Sequence, residues 1–228
     1  MPTQHRLFRL RVWDLPTRLF HWALALCFAG LMITGTVGGA AMTFHFRFGY
    51  ATLALLLFRF VWGLVGGRWS RFSSFWFSPA ATLAYLKGRN LAVERVGHNP
   101  LGALSVWALL AFLTAQVATG LVSDDEISFA GPLTHLVSNA TVALATSYHA
   151  NVGKFILLAL VLLHLAALVY YTRRKHRLVS AMIHGDKLLD TAAQPSRDDV
   201  STRLLALFIV ALCAAAAYWF STLQASVF

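Results

Sequence analysis

Five stretches of the chain, at about 19–40, 48–66, 102–122, 152–171 and 203–222, are long and apolar enough to cross a hydrocarbon slab, for which a helix needs roughly 20 residues. Lipid offers no hydrogen bonds to a backbone, so a spanning segment must be a helix that satisfies its own amides and carbonyls. This restricts the chain to an all-α integral membrane fold. The second run is short unless it starts near His45, and its helix is expected to begin there. Composition agrees: 58% of the residues are hydrophobic and only 12% charged, against about a quarter charged in soluble domains.

A net charge of +10 would suit nucleic acid if the basic residues formed a patch on a soluble surface. Their placement says otherwise. Threaded through five spans, 16 of the 19 Lys and Arg fall on one side. Arg6, Arg9, Arg11 and Arg18 precede or open the first span. Five lie between the second and third, and seven between the fourth and fifth, including Arg173, Arg174, Lys175 and Arg177. The other side carries Arg47 and the acidic trio Asp124, Asp125 and Glu126, while Arg59 and Lys154 lie within spans. Basic excess marks the cytoplasmic side, so the N-terminus is expected in the cytoplasm and the C-terminus outside. No nucleic-acid partner is expected.

The first apolar run is not read as a cleaved signal peptide: it exceeds the usual apolar core, no A-x-A site follows, and it contains His21. Cys27 and Cys213 sit in apolar runs without a C-x-x-C or C-x-x-C-H context, which excludes covalent haem attachment and zinc. The 67–101 loop, with Trp69, Phe72, Phe75, Trp76 and Phe77, reads as interfacial. The 123–147 loop reads as exposed. Residues 191–228 form a linker, loosened by Pro195-Ser196, and an extra span, after a membrane domain covering 1–190.

Four histidines lie in these spans, and a histidine in hydrocarbon is costly enough that function is its default reading. His149 and His164 are 15 residues apart, which on a regular helix means about 60° in azimuth and about 22 Å in height. They project from nearly one face, one toward each leaflet. Helix direction gives the partners: His21 lies at the depth of His164, and His45 at that of His149. Facing imidazoles in a helix bundle are a way to hold a cofactor, and axial ligation of haem iron is the candidate. Gly49 and Gly153 each follow a histidine by four residues on the same face, where a flat ring can press on the backbone. Arg59, 14 residues after His45 and about 40° away, points inward at the depth of the inner pair. With Arg18 it would clamp carboxylates such as haem propionates. Hydrogen-bonded core residues or snorkelling groups are the bland alternative. A bare metal site lacks neighbouring Cys, Asp or Glu, and a proton relay would be expected to include intramembrane carboxylates. His98, in Gly97-His98-Asn99-Pro100, sits at a helix start and is a minor candidate for a quinone site; His5, His176 and His184 read as solvated, and His135 as a surface residue of the outer loop, with contact to a partner or the outer cofactor as its alternative.

The run Arg11-Val-Trp-Asp-Leu-Pro-Thr-Arg-Leu-Phe-His21-Trp22 resembles the first helix of the bacterial cytochrome b561 and nickel-hydrogenase b-type cytochrome family. Trp62-Gly-Leu-Val-Gly-Gly-Arg-Trp-Ser-Arg-Phe-Ser-Ser-Phe75, Gly97 to Ala103, His149 to His164 and Leu178 to Lys187 are similar to the same family, over roughly 8–190. The resemblance implies a four-helix transmembrane bundle binding two haem b groups, each held non-covalently by two histidines, carried here by His21, His45, His149 and His164. The fifth helix is an addition without a ligand-type residue. The family moves electrons between quinone and periplasmic proteins such as a c-type cytochrome, a hydrogenase or a reductase subunit.

The expected function is therefore electron transfer across the membrane, as one component of an oxidoreductase, alone or in an oligomer. Two rivals stay open: a superoxide:ubiquinone oxidoreductase using the same haems, with Arg47 and Lys154 drawing in the anion, and a histidine-containing transporter or assembly protein without haem.

Overall fold

The computed structural model describes residues 8–88, 96–175, 177–190 and 192–223. His5, Arg6 and His176, and Arg89 and Arg95 among the basic residues between the second and third spans, lie outside them. The long helices are α1 (Leu15–Val37), α2 (Met42–Val65), α4 (Pro100–Leu121), a run made of α5 (Asn139–Ser147), a π-helical stretch at Tyr148–Gly153 and α6 (Lys154–Arg173), and α8 (Val200–Thr222). Among the described residues, five segments have membrane length and hydropathy: Leu15–Val37, Gly39–Val65, Pro100–Leu121, Asn139–Arg173 and Val200–Thr222. The fold is that of an all-α, multi-pass membrane protein. Apolar side chains cover its outside, including Leu204, Leu207, Phe208, Leu212 and Trp219 of α8, as lipid requires. On α8, Ala206, Ile209, Cys213 and Ala217 are buried at helical spacing. Cys213 therefore packs inward, and both cysteines are free thiols.

Two compact units divide the chain, with boundaries inside the long helices. The first comprises Met1–Leu19, Arg59–Trp107 and Leu163–Leu207, the second Phe20–Phe58, Ala108–Leu162 and Phe208–Phe228.

In the first unit, β1 (Phe8–Arg11) pairs antiparallel with β2 (Asp186–Leu189), Phe8 opposite Leu189 and Arg11 opposite Asp186. The strands are too short and too charged to show as strands in sequence. Arg9 and Arg11 pair with Asp186 at 2.8 and 2.6 Å. Beneath them lies a core of Leu10, Val12, Trp13, Trp69, Val96, Ala181 and Leu189. Asp14, fully buried, starts α1: its Oδ1 accepts from the Thr17 amide at 2.8 Å and from Trp62 Nε1 at 3.2 Å. Its Oδ2 accepts from the Gly67 amide at 3.1 Å and from Ser70 Oγ at 2.7 Å. Asn99 caps α4, accepting from the Gly102 amide at 2.7 Å, with Pro100 at the first helical position. The short helices α3 (Pro79–Leu86) and α7 (Leu178–His184) complete the unit.

Two expectations for this unit need correction. The aromatic loop is not simply interfacial: Trp69 and Phe75 are buried, and only Trp76 is largely exposed. Phe72 and Phe75 stack near Trp107, with ring centres 4.8 and 5.8 Å from it, so their burial stabilises protein rather than lipid contact. Nor do Pro195 and Ser196 loosen the linker. Ser196 Oγ donates to the Val12 carbonyl at 2.7 Å and accepts from the Trp69 amide at 3.2 Å. Trp69 Nε1 donates to the Gln194 carbonyl. Asp198 then takes Arg11, Arg203 and the Leu15 amide. Burial pushes its carboxyl up, but the Arg203 and Leu15 hydrogen bonds and the charges of Arg203 and Arg11 outweigh that and hold it below the usual carboxylate range.

In the second unit, the 123–138 segment is held rather than free. Asp125 Oδ1 accepts from the amides of Ile127, Ser128 and Phe129, Gly131 donates to the Ser123 carbonyl at 2.7 Å, and Pro132 is fully buried. The acidic trio is therefore in part a turn-forming device. Residues 139–147, read from sequence as loop, are helical because Ser138 caps them, accepting from the Thr141 amide at 3.3 Å.

Candidate functional site

Two spans of the second unit bring His45, on α2, to His149, in the π-helical stretch. Their ring centres are 6.1 Å apart and their planes 84° from parallel. A metal–imidazole bond is about 2.0–2.1 Å in zinc sites; with a ring centre about 1.1 Å behind its nitrogen, two imidazoles on opposite sides of one metal would stand roughly 6.3 Å apart. The observed spacing suits a shared iron.

The other ring nitrogen of each histidine is engaged. His149 Nδ1 lies 2.8 Å from the Gln116 carbonyl. His45 Nδ1 lies 3.2 Å from the Leu31 carbonyl and 3.3 Å from Thr34 Oγ1. A carbonyl can only accept, so it fixes the proton on Nδ1 and leaves the Nε2 lone pair for a metal; metal-bound histidines are oriented in this way. Among the described residues no cluster of three or more His, Cys, Asp or Glu could hold a bare ion. A cofactor bringing its own equatorial ligands fits this donor set.

The glycines divide in role. A Cβ at Gly49 would meet no atom within 4 Å, so the space beside it is open. Gly153 differs from its sequence reading: a Cβ there would run into Gln116 Oε1 and Tyr148, so its smallness admits Gln116 instead of a ring. Sequence reasoning missed Gly35 and Gly120, where a Cβ would come within 3.0 and 2.7 Å of Cε1 of His45 and His149. Their signal was a glycine in a span facing a histidine, visible only once the helices are docked. The π-helical stretch also changes the phase. Absorbing about one extra residue, it sets His164 about 40° to the other side of His149 in place of the 60° of a regular helix. Arg47 and Lys154 lean on neighbouring rings, Arg47 over Phe44 at 5.4 Å and Lys154 over Phe155 at 5.1 Å.

The first unit holds His164, Arg18 and Arg59; His21 belongs to the second, its ring 5.1 Å from that of Trp22. Arg59 is 5% exposed and lies 4.6 Å over Phe72 and 5.8 Å from Phe75. These faces partly support its charge, a partner that the sequence reading did not foresee. Its Nη1, and Nε of Arg18, are buried with no hydrogen-bond partner among the described residues. Arg18 Nη1 meanwhile donates to the Ile183 carbonyl at 2.6 Å. Buried donors in search of acceptors suit a carboxylate-bearing group.

His98 is wedged between Trp13 and Phe75, each ring centre 4.7 Å away, and its Nδ1 is buried without a partner among the described residues. Burial, then the charges of Lys187, Arg59 and His164, push its pKa down to about 3, so it stays neutral. Lys187, donating to the Val96 and Gly97 carbonyls at 2.7 and 3.0 Å, is lowered by burial to about 8. His135 and His184 are exposed, as read from sequence.

The profile of the family described as prokaryotic cytochrome b561 matches residues 12–185. The chain is 29% identical over 147 aligned residues to the probable Ni/Fe-hydrogenase 1 B-type cytochrome subunit of Escherichia coli K12, covering 51% of this chain and 61% of that one. The same values hold for the protein of that name from Escherichia coli O157:H7. The chain thus spans less than two thirds of the length of these relatives.

Proposed function

Because the chain belongs to the prokaryotic cytochrome b561 family, we propose that it is a di-haem electron carrier of the bacterial inner membrane, passing single electrons between quinone and a periplasmic redox protein. The observation that carries this reading is the His45–His149 pair, 6.1 Å apart with both Nδ1 atoms turned to carbonyl or hydroxyl oxygens. Bound haem supplies one-electron chemistry at its iron. His45 and His149 would give the axial nitrogens of one group, while the Leu31 and Gln116 carbonyls hold their planes. His164 would serve a second group, for which His21 is the other candidate ligand by residue count along the helices. Arg59 and Arg18 would neutralise the carboxylates of that second group with their buried N–H donors. With both imidazoles engaged in holding the group, no position would remain for oxygen at its iron, which would favour electron passage over oxygen activation.

The name of the relatives, which speaks of a hydrogenase, supports a hydrogenase-like subunit as the partner; a c-type cytochrome is the second partner proposed. The basic excess on one side supports a cytoplasmic N-terminus and a periplasmic C-terminus. Purified protein should show a b-type reduced-minus-oxidised spectrum with two haems per chain. His149→Ala should lose one haem and keep the other; a variant retaining both would remove the proposed ligand pair.

A further inference from the structure

A widened turn inside a membrane span must have its loosened backbone satisfied by neighbouring groups, because lipid cannot supply them. Here the wide stretch is Tyr148–Gly153 and it contains His149. One residue of α4, Gln116, meets it twice. Its Nε2 donates to the His149 backbone carbonyl at 2.9 Å, and its backbone carbonyl faces His149 Nδ1 at 2.8 Å. The backbone and the imidazole of the same histidine are thus held by the same glutamine. Gly153 gives that side chain its space, for a Cβ there would displace the amide oxygen. His45 has no equal support: its Nδ1 contacts are 3.2 and 3.3 Å and divided between a carbonyl and a hydroxyl.

We propose that Gln116 is a positioning residue that fixes the tautomer and donor strength of His149, making the two axial ligands of the His45–His149 haem unequal. The inference rests on those histidines being ligands. A short Nδ1–H to carbonyl contact makes an imidazole a stronger donor, which favours the oxidised iron and lowers the potential of that haem. The side-chain contact to the His149 carbonyl keeps the carbonyl of Gln116 in place for this.

The test uses full-length protein in detergent, with redox titration and low-temperature EPR of the low-spin ferric signals. Gln116→Met keeps length and removes the amide donor. Gly153→Ala pushes the amide aside from the other flank, and serves if the first variant does not fold. Each should raise the midpoint potential of one haem and move its g-values, leaving the other haem as in the wild type. Unchanged potentials and g-values in both variants would overturn the role of Gln116, as would equal shifts of both haems. His149→Ala separates the two ideas. If it loses one haem while the Gln116 variant is spectroscopically silent, only the role of Gln116 fails; if it keeps both, the ligand reading fails first.

Discussion

Replacing Asp14 by Ala should be among the most damaging changes open to this chain outside the histidines. The carboxyl is fully buried and every one of its four contacts is a donor: the Thr17 amide, Trp62 Nε1, the Gly67 amide and Ser70 Oγ. Loss of a helix N-cap costs about 1 kcal/mol. Stranding a buried N–H costs about 1–3 kcal/mol, and Asp14→Ala strands two, on Trp62 and Gly67. The Ser70 hydroxyl is only partly orphaned, since it still accepts from Thr17 Oγ1 at 2.7 Å. The sum runs from about 3 to 7 kcal/mol, and a water drawn into the vacated space offsets part of it, leaving about 4 kcal/mol. At about 2–4 °C per kcal/mol for a chain of this size, the Tm in detergent, followed by tryptophan fluorescence, should fall by roughly 10 °C. Asp14→Asn gives the sharper comparison. Its amide nitrogen must face one of the two donor pairs; turned toward Ser70, which can rotate to accept, it still opposes the Gly67 N–H. It should lose about 1–3 kcal/mol. Asp14→Ala melting within about 2 °C of the wild type would refute this account of how α1 is anchored.

Two further outcomes follow from the first unit. His98 titrates near 3 when folded against 6.5 when unfolded, so between those values the unfolded chain binds the extra proton and stability rises with pH. Chemical unfolding in micelles should therefore show stability falling from pH 6.5 to 4.5, above most carboxylate titrations; His98→Phe should flatten that limb, and an unaltered slope would exclude His98 as its source. Ser196→Ala removes hydrogen bonds to the Val12 carbonyl and the Trp69 amide and should cost about 1–2 kcal/mol. Limited proteolysis should then cut near 192–199 faster than in the wild type, and equal rates would argue against the anchoring role.

Apolar length and one-sided charge were enough to find all five spans, because lipid imposes its requirement segment by segment. They failed where the cause is local or distant. Residues 139–147 contain Asn139, Thr141, Thr146 and Ser147, too polar for a hydropathy argument, yet Ser138 caps them into helix. The π-helical stretch has no periodic signature. Of the site, His45 and His149 could be matched by depth alone, since both are set by residue count from a helix end. Gln116, Gly35 and Gly120 could not, because their roles depend on which face of a neighbouring helix meets the histidine. Asp14 was visible only as part of a recurrent run, its four partners spread from Thr17 to Ser70.

The pairing of β1 with β2 imposes an order on biogenesis. Phe8–Arg11 is made before the first span, and its partner Asp186–Leu189 follows after four membrane-length helices have been synthesised. Until then the early strand waits with its amides unmatched. The miniature sheet can form only when residue 189 has left the ribosome, so its closure reports that the four intervening helices have been made. A chain halted before that point would lack the clasp that joins the segment before α1 to the segment after α6.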